Sequence, residues 1–383
     1  MIKFARGAAA SSLLAFVAAA PVAVQAQDKL TVKVGGRVNV DYTVAELDDP
    51  DTDINGSELR RARVSISGNY GSTLSYKFEV QTDSGGDIYA EDAYLQFAPE
   101  GTGLKFKLGQ QRTTNSLDEQ TSSRFISVIE RAAMTDAFSL DRRVGATVTK
   151  SGDDYTLGFG VFGENLEGGA FDREGYAVSA RGTYNPVKIG DEVVHLGASW
   201  RYRKAGENSD PAQGDELFRY RQRPFTHQTN DRIISTSRFA ESDNFYGLEA
   251  AYKAGPFWAA AEYSMLAANG GAGNDDADFQ GYYAEAGMFF GGSRTYKGGK
   301  FNRPNVDNPI TEGGKGAFAL VARYDVLDLD DGVNVGKLDN YVIGADWYPT
   351  RNTRVAVNAF VADATDGAAD KATGIVSRLY FDF

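Results

Sequence analysis

Segments of about ten residues that alternate in polarity, each bounded by Gly, Asn, Asp or Pro, recur along almost the whole chain after residue 27. In Val193 to Arg203, Val194, Leu196, Ala198, Trp200 and Tyr202 share one side, and His195, Gly197, Ser199, Arg201 and Arg203 share the other. A period of two is the strand period, so this is a strand with one apolar face. One such strand suits a soluble sandwich equally well; the series is what narrows the choice. Strands are expected near 32–43, 58–69, 73–82, 88–98, 104–112, 142–150, 154–163 and 174–184. They continue near 192–203, 242–253, 256–267, 279–290, 316–327, 338–349, 352–362 and 373–383. That is about sixteen, an even number, as a closed antiparallel barrel with both ends on one side requires.

The connections alternate as well. Short turns at 69–72, 99–103, 151–154, 254–256 and 349–352 separate longer polar loops near 44–57, 113–141, 164–173, 204–241, 268–278 and 328–337. Short periplasmic turns and long outer loops are the transmembrane-barrel pattern. The segment 291–315 breaks it, being long where a short turn should fall. No apolar run after residue 27 is long enough for a membrane-spanning helix. The expected fold is all-β: a transmembrane antiparallel barrel over 27–383, with each backbone group paired so that it can sit in lipid. The last strand agrees, with Ile375, Leu379, Phe381 and Phe383 on one face, and a final Phe resembles the assembly signal of outer-membrane proteins.

Residues 1–26 read as an export signal. Lys3 and Arg6 precede the apolar Leu13–Ala20, and Val24-Gln25-Ala26 supplies a small-x-small cleavage pattern, with cutting expected after Ala26. An exported chain with no Cys has no disulfide staple. Removing Lys3 and Arg6 from 40 basic residues leaves 38 against 52 acidic ones, a balance of −14. Such a chain does not read as a nucleic-acid binder. Much of the acid falls in apparent loops, such as 46–51 and 328–331, where it reads as solvated. An outer-membrane enzyme would need a Ser–His pair, yet the two histidines fall in the lumen (His195) and in a loop (His227). No cofactor motif is present, and no enzyme is expected.

Candidate functional residues are the arginines in lumen register. Arg61 and Arg63 point inward if Ala62, Val64, Ile66 and Gly68 face lipid or a neighbouring subunit. Arg60 falls outward by strict parity unless a bulge or the strand end turns it. Arg219, Arg221 and Arg223, spaced by two, would align along an extended segment, and Arg201 and Arg203 end the preceding strand on its lumen side. A guanidinium stays charged and binds an oxyanion through two parallel hydrogen bonds, so such a column can pass anions inward. A solvated outer loop is the competing reading. In 113–141, the loop expected to fold inward, Ser122, Ser123, Arg124 and Arg131 offer hydroxyls and charge, with Glu130 as a positioning partner. Glu91 and Asp92 would temper the field so that bound anions leave.

These clusters occur within a longer succession. It runs from Lys33-Val34-Gly35-Gly36-Arg37-Val38 through Leu59-Arg60-Arg61-Ala62 to Thr121-Ser122-Ser123-Arg124 with Glu130-Arg131. Val193-Val194-His195-Leu196-Gly197, Tyr246-Gly247-Leu248-Glu249 and Tyr296-Lys297 with Gly299-Lys300-Phe301 follow. In this order the chain resembles the phosphate-selective porin O and P family. The resemblance implies a homotrimer of sixteen-stranded barrels, each with a basic ladder leading to a central anion site. Carried over residue by residue, the site is Arg60, Arg61, Ser122, Ser123 and Arg131, with Arg124 nearby and an acidic position at Glu91. The ladder is Arg219, Arg221 and Arg223. Arg112 stands where the family pattern has an aromatic, Gln120 where it has a basic residue, and Arg63 where Tyr is common. Phosphate, polyphosphate or other small anions are the implied solutes. Expected partners are outer-membrane lipid, lipopolysaccharide and the barrel-assembly machinery. A general or cation-preferring porin is the alternative, given the acidic balance.

Overall fold

The structure, a computed structural model, describes residues 30–48, 52–167, 173–207, 217–271, 273–331 and 336–383. The expected export signal lies outside the described residues. In chain order the strands are β1 (Lys33–Leu47), β2 (Ile54–Tyr70), β3 (Leu74–Thr82), β4 (Ile88–Phe97), β5 (Leu104–Arg112), β6 (Arg142–Ser151) and β7 (Tyr155–Phe162). Next come β8 (Tyr176–Ile189), β9 (Glu192–Lys204), β10 (Arg221–Gln222), β11 (Ile234–Ser235), β12 (Ala240–Ala254), β13 (Phe257–Gly270) and β14 (Ala277–Phe290). The last are β15 (Gly292–Tyr296), β16 (Phe301–Val306), β17 (Ala317–Asp328), β18 (Lys337–Thr350), β19 (Thr353–Thr365) and β20 (Lys371–Asp382).

Sixteen of these, all but β10, β11, β15 and β16, form one closed antiparallel barrel in sequence order. Alternation builds it: on β1, Arg37, Asn39, Asp41 and Thr43 are buried inward while Val38, Val40, Tyr42 and Val44 are exposed outward. The outward band is apolar throughout, from Leu95 and Phe106 to Leu248, Ile343 and Leu379, which suits a lipid-facing wall. The seam is β1 on β20, in register from Arg37 opposite Asp382 to Leu47 opposite Ala372. Gly36 and Phe383 extend it by exchanging backbone hydrogen bonds of 3.2 and 3.1 Å.

One expectation changes. The loop expected at 44–57 is mostly strand, because Val44 pairs with Asn55 and Ala45 with Ile54, carrying the first hairpin beyond the apolar band. The segment 291–315 is long, as expected, and contains a hairpin, β15 against β16, that turns into the lumen. Tyr296 Oη meets His195 Nδ1 at 2.6 Å and accepts from Asn185 Nδ2 at 3.2 Å, and Phe301 packs edge-on against Trp258.

The lumen is two-sided. Phe245, Trp258, Leu266, Phe279, Phe289, Leu338, Tyr348 and Phe360 point inward from β12–β19 and pack with loop residues into a hydrophobic core. The opposite wall, β1–β5, buries Arg37, Asn39, Asp41, Arg60, Arg63, Glu79, Gln81, Glu91 and Gln110. The buried charged side chains on this side therefore gather off-axis, along β1–β6.

Candidate functional site in the lumen

The loop from Thr113 to Asp141 enters the barrel as two short helices, α1 (Leu117–Gln120) and α2 (Ala133–Phe138), joined by extended chain. Its apolar residues, Leu117, Val128, Ile129, Ala132, Met134 and Phe138, are each 0–1 % exposed. Chain folded into a lumen cannot leave its backbone groups unpaired, and the wall satisfies them by charge type. Acceptors on the wall take N–H groups: Glu262 from Leu117 and Asp118 (2.8 and 2.6 Å), Asn358 from Ile129 (2.7 Å) and Asp325 from Ala133 (3.1 Å). Arginines take carbonyls: Arg354 binds those of Ile126 and Ser127, Arg378 that of Ile129 and Arg323 that of Glu130. Arg294 binds the Phe125 carbonyl and Arg201 that of Phe138. Many lumen arginines thus hold the loop in place.

At the tip of this loop a chamber of about 110 Å³ is lined by Arg60, Arg61, Arg63, Arg112, Ser123, Arg131 and Arg142, with Glu119, Glu130, Asp136 and Asp141 among them. A water needs roughly 10–15 Å³ of such space, so the chamber has room for several waters or one small oxyanion. Arg60 reaches it through a bulge. Asn39 pairs with Arg61 but Val40 pairs with Leu59, so Arg60 is the extra residue and turns inward with Arg61. A second bulge, opposite Glu79, turns both Glu91 and Asp92 inward.

The charges in the chamber are unequal. Arg60 holds Glu130 (3.3 Å), which Arg378 also binds (2.8 Å). Burial works to raise the Glu130 carboxyl, but Arg60, Arg378 and Arg61 outweigh it and hold the group well below the ordinary carboxylate range. Arg131 is committed to Asp118, Glu119 and the Thr121 carbonyl. Arg63 joins Glu79 and Glu91, and Arg142 joins Glu91, Asp92 and Asp141. Arg61 alone among the chamber arginines has a side chain with neither an ion pair nor a hydrogen bond among the described residues.

The remaining predicted residues lie around this chamber. Ser123 accepts from Arg37 at 2.9 Å, while Ser122 accepts the Arg124 N–H at 3.4 Å and Arg124 pairs with Asp382. Ser122 and Arg124 are therefore beside the chamber and not in its lining. Of the departures from the family pattern, Arg112 binds the Glu119 and Thr121 carbonyls and Gln120 binds that of Thr113, both bracing the loop. Arg37, Arg112, Arg142 and Arg378 were not singled out as site residues in the sequence. Inward parity on β1 and β20 marks Arg37 and Arg378, but nothing local marks their loop partners.

Above the chamber, the loop between β9 and β12 crosses the lumen to β1 and β2. Thr226 meets Thr43 at 3.1 Å and His227 meets Glu58 at 3.2 Å. Within it β10 pairs with β11, burying Tyr220 and Gln222 and leaving Arg219, Arg221 and Arg223 on the other face. Burial, then the nearby Arg219, Arg223 and Arg238, depress the Arg221 guanidinium below its ordinary value, a mark of crowded like charge. Arg232 belongs to the same group, lowered to about 10 by burial and then by Arg223 and Arg221. Among the described residues none of these five closes an ion pair. Arg201 and Arg203 differ: both bind Asp243 (2.9 and 2.6 Å), Arg201 is 0 % exposed, and Arg203 stacks 3.7 Å from the Phe218 ring. Tyr220 donates to the same Asp243 at 2.7 Å, so this acid fastens the crossing loop. A second small cavity, about 30 Å³ and lined by Arg223, Gln222, His227, Arg60, Arg131 and Asp136, touches the arginine column at Arg223 and shares Arg60, Arg131 and Asp136 with the chamber.

A closed sixteen-stranded barrel with an apolar belt and loops folded into a charged lumen is the architecture of an outer-membrane channel. The chain belongs to the phosphate-selective porin O and P family, whose profile matches residues 32–383. It is 33% identical over 348 residues to an uncharacterized protein of Caulobacter vibrioides, covering 86% of this chain and 68% of the relative. It is 26% identical over 411 residues to Porin O of Pseudomonas aeruginosa, covering 93% and 89%. Among solved structures, the anion-selective porin from Comamonas acidovorans superposes with a TM-score of 0.61 at 12% identity, covering 93% of this chain and 100% of that one. OmpT of Vibrio cholerae superposes with a TM-score of 0.59 at 13% identity, covering 94% and 99%.

Proposed function

We propose that the channel conducts small anions by passive diffusion, with phosphate and polyphosphate as preferred solutes. The observation that carries this reading is Arg61, whose guanidinium has no partner among the described residues, in a chamber whose other arginines are paired. Arg219, Arg221 and Arg223, with Arg232 and Arg238, collect anions at the outer mouth and pass them through the small upper cavity. Arg60, Arg131 and Ser123 frame the chamber, and Glu91 limits its positive field by pairing Arg63 and Arg142. Arg201 and Arg203 serve this path indirectly, by anchoring the crossing loop on Asp243. The anion-selective and Porin O relatives support the same reading. A homotrimer is part of the proposal, supported by the small, apolar outward face of Ala62, Val64, Ile66 and Gly68 and by a trimeric OmpT form of the same fold, TM-score 0.58. Residues 1–26 direct export, and the barrel-assembly machinery inserts the chain among lipid and lipopolysaccharide.

The test is titration of chloride current with phosphate in a planar bilayer. Saturable block supports a central oxyanion site; linear addition of phosphate current without block would reduce the protein to a general pore.

A further inference from the structure

Asp136 stands apart from the other acids of the passage. Glu130 is held by Arg60 and Arg378, Glu119 by Arg112 and Arg131, and Asp141 by Arg142. Asp136, in the first turn of α2, is exposed, and its carboxylate makes neither a hydrogen bond nor an ion pair among the described residues. It nevertheless lines both cavities, with Arg223, Arg60 and Arg131 in the upper and Arg60, Arg61 and Arg131 in the lower. After burial, it is also the charge that acts most strongly on Arg223. An anion moving from the arginine column to Arg61 therefore passes an uncommitted acceptor.

An ionised carboxylate accepts hydrogen bonds and donates none. Inorganic phosphate near neutral pH keeps at least one P–OH proton, whereas sulfate keeps none. Facing Asp136, a hydrogen phosphate can donate its proton while its bare oxygens accept from the arginines. Sulfate presents only bare oxygens to the carboxylate and meets repulsion, and discrimination gained by opposing the wrong ligand is as effective as added attraction to the right one. We propose that Asp136 is a specificity-determining residue, which makes the passage prefer protonated oxyanions, the hydrogen phosphates, over unprotonated ones such as sulfate. This rests on the anion-channel reading above.

The experiment compares native channel, Asp136→Asn and Asp136→Glu in planar bilayers, with chloride current titrated by phosphate and by sulfate at matched ionic strength. In the native channel half-block should need about tenfold less phosphate than sulfate, the ratio given by about 1.4 kcal/mol. In D136N, sulfate block should strengthen more than phosphate block and the ratio should fall towards one, with D136E restoring it. A ratio unchanged in D136N, or a native ratio of one, overturns the assignment while leaving anion conduction in place. A native channel that selects potassium and is blocked by neither oxyanion removes the anion reading, and this assignment with it.

Discussion

Arg60 and Arg61 are adjacent, both face the lumen and both line one chamber, yet only one of them is available to a solute. Arg60 spends its charge on Glu130, whereas Arg61 has no partner among the described residues. A hydrogen bond to a charged group contributes about 1.5–3 kcal/mol. Arg61→Gln should therefore weaken phosphate block by roughly tenfold or more. Arg60→Gln should weaken it much less, since Glu130 keeps Arg378. Equal losses in the two variants would show that the pairing in the chamber does not govern binding. A second test concerns pH. Burial, then Arg112, Lys107, Arg181 and Lys105, bring Lys300 in the β15–β16 turn down to about 8. Its charge is present below that pH and lost as pH rises through it. Chloride conductance should decline between about pH 7 and 9, and Lys300→Arg should abolish the decline. The inward parity of Arg61 could be read from its strand, but Arg60 could not be placed that way. Its direction depends on a bulge against β1, and a bulge is a property of two strands in register.

The barrel strands were legible because the alternation that defines them is local, and their closure followed from an even count. The two inward loops were not, beyond the expectation that 113–141 folds in. What docks them is contact at long range, such as Glu262 with Leu117 or Arg354 with Ile126, and no pattern within either segment encodes it. The apolar residues of 113–141 carry a weak signal, since an exposed outer loop has no use for Leu117, Ile129, Met134 and Phe138. Asp243 is where the two loops meet. It binds Arg201, which holds the Phe138 carbonyl, and Tyr220, which belongs to the crossing loop. Removing one member of a buried ion pair costs about 3–5 kcal/mol. Asp243→Ala should lower the thermal unfolding midpoint, followed by the heat-dependent gel shift of the barrel, and single-channel current should become noisy as both loops loosen. An unchanged midpoint with quiet current would remove Asp243 as their common anchor.

For the molecule as a whole, a net charge of −12 over the full chain and a preference for anions are compatible only if the acids lie away from the passage or are paired within it. Inside the lumen the pairing is extensive: Asp41, Glu79, Glu91, Asp118, Glu119, Glu130, Asp243, Glu249 and Glu285 each contact an arginine. Among the described residues, the column of Arg219, Arg221, Arg223, Arg232 and Arg238 is left without an ion pair to a carboxylate. Its field acts at a distance and is screened within roughly 10 Å at 0.1 M salt. Arg221→Gln should consequently slow phosphate association at low salt and have little effect at high salt. Neutral balance or solvated loop acid could not be apportioned from composition, because only the charges beside the narrow part decide what passes. The most direct measurement is the zero-current potential of the purified channel in a planar bilayer under a KCl gradient. The predicted potential is chloride-selective, and it should shift towards zero in Arg61→Glu. A potassium-selective potential in the native protein would contradict the account, since the acidic loops would then outweigh Arg61 and the arginine column.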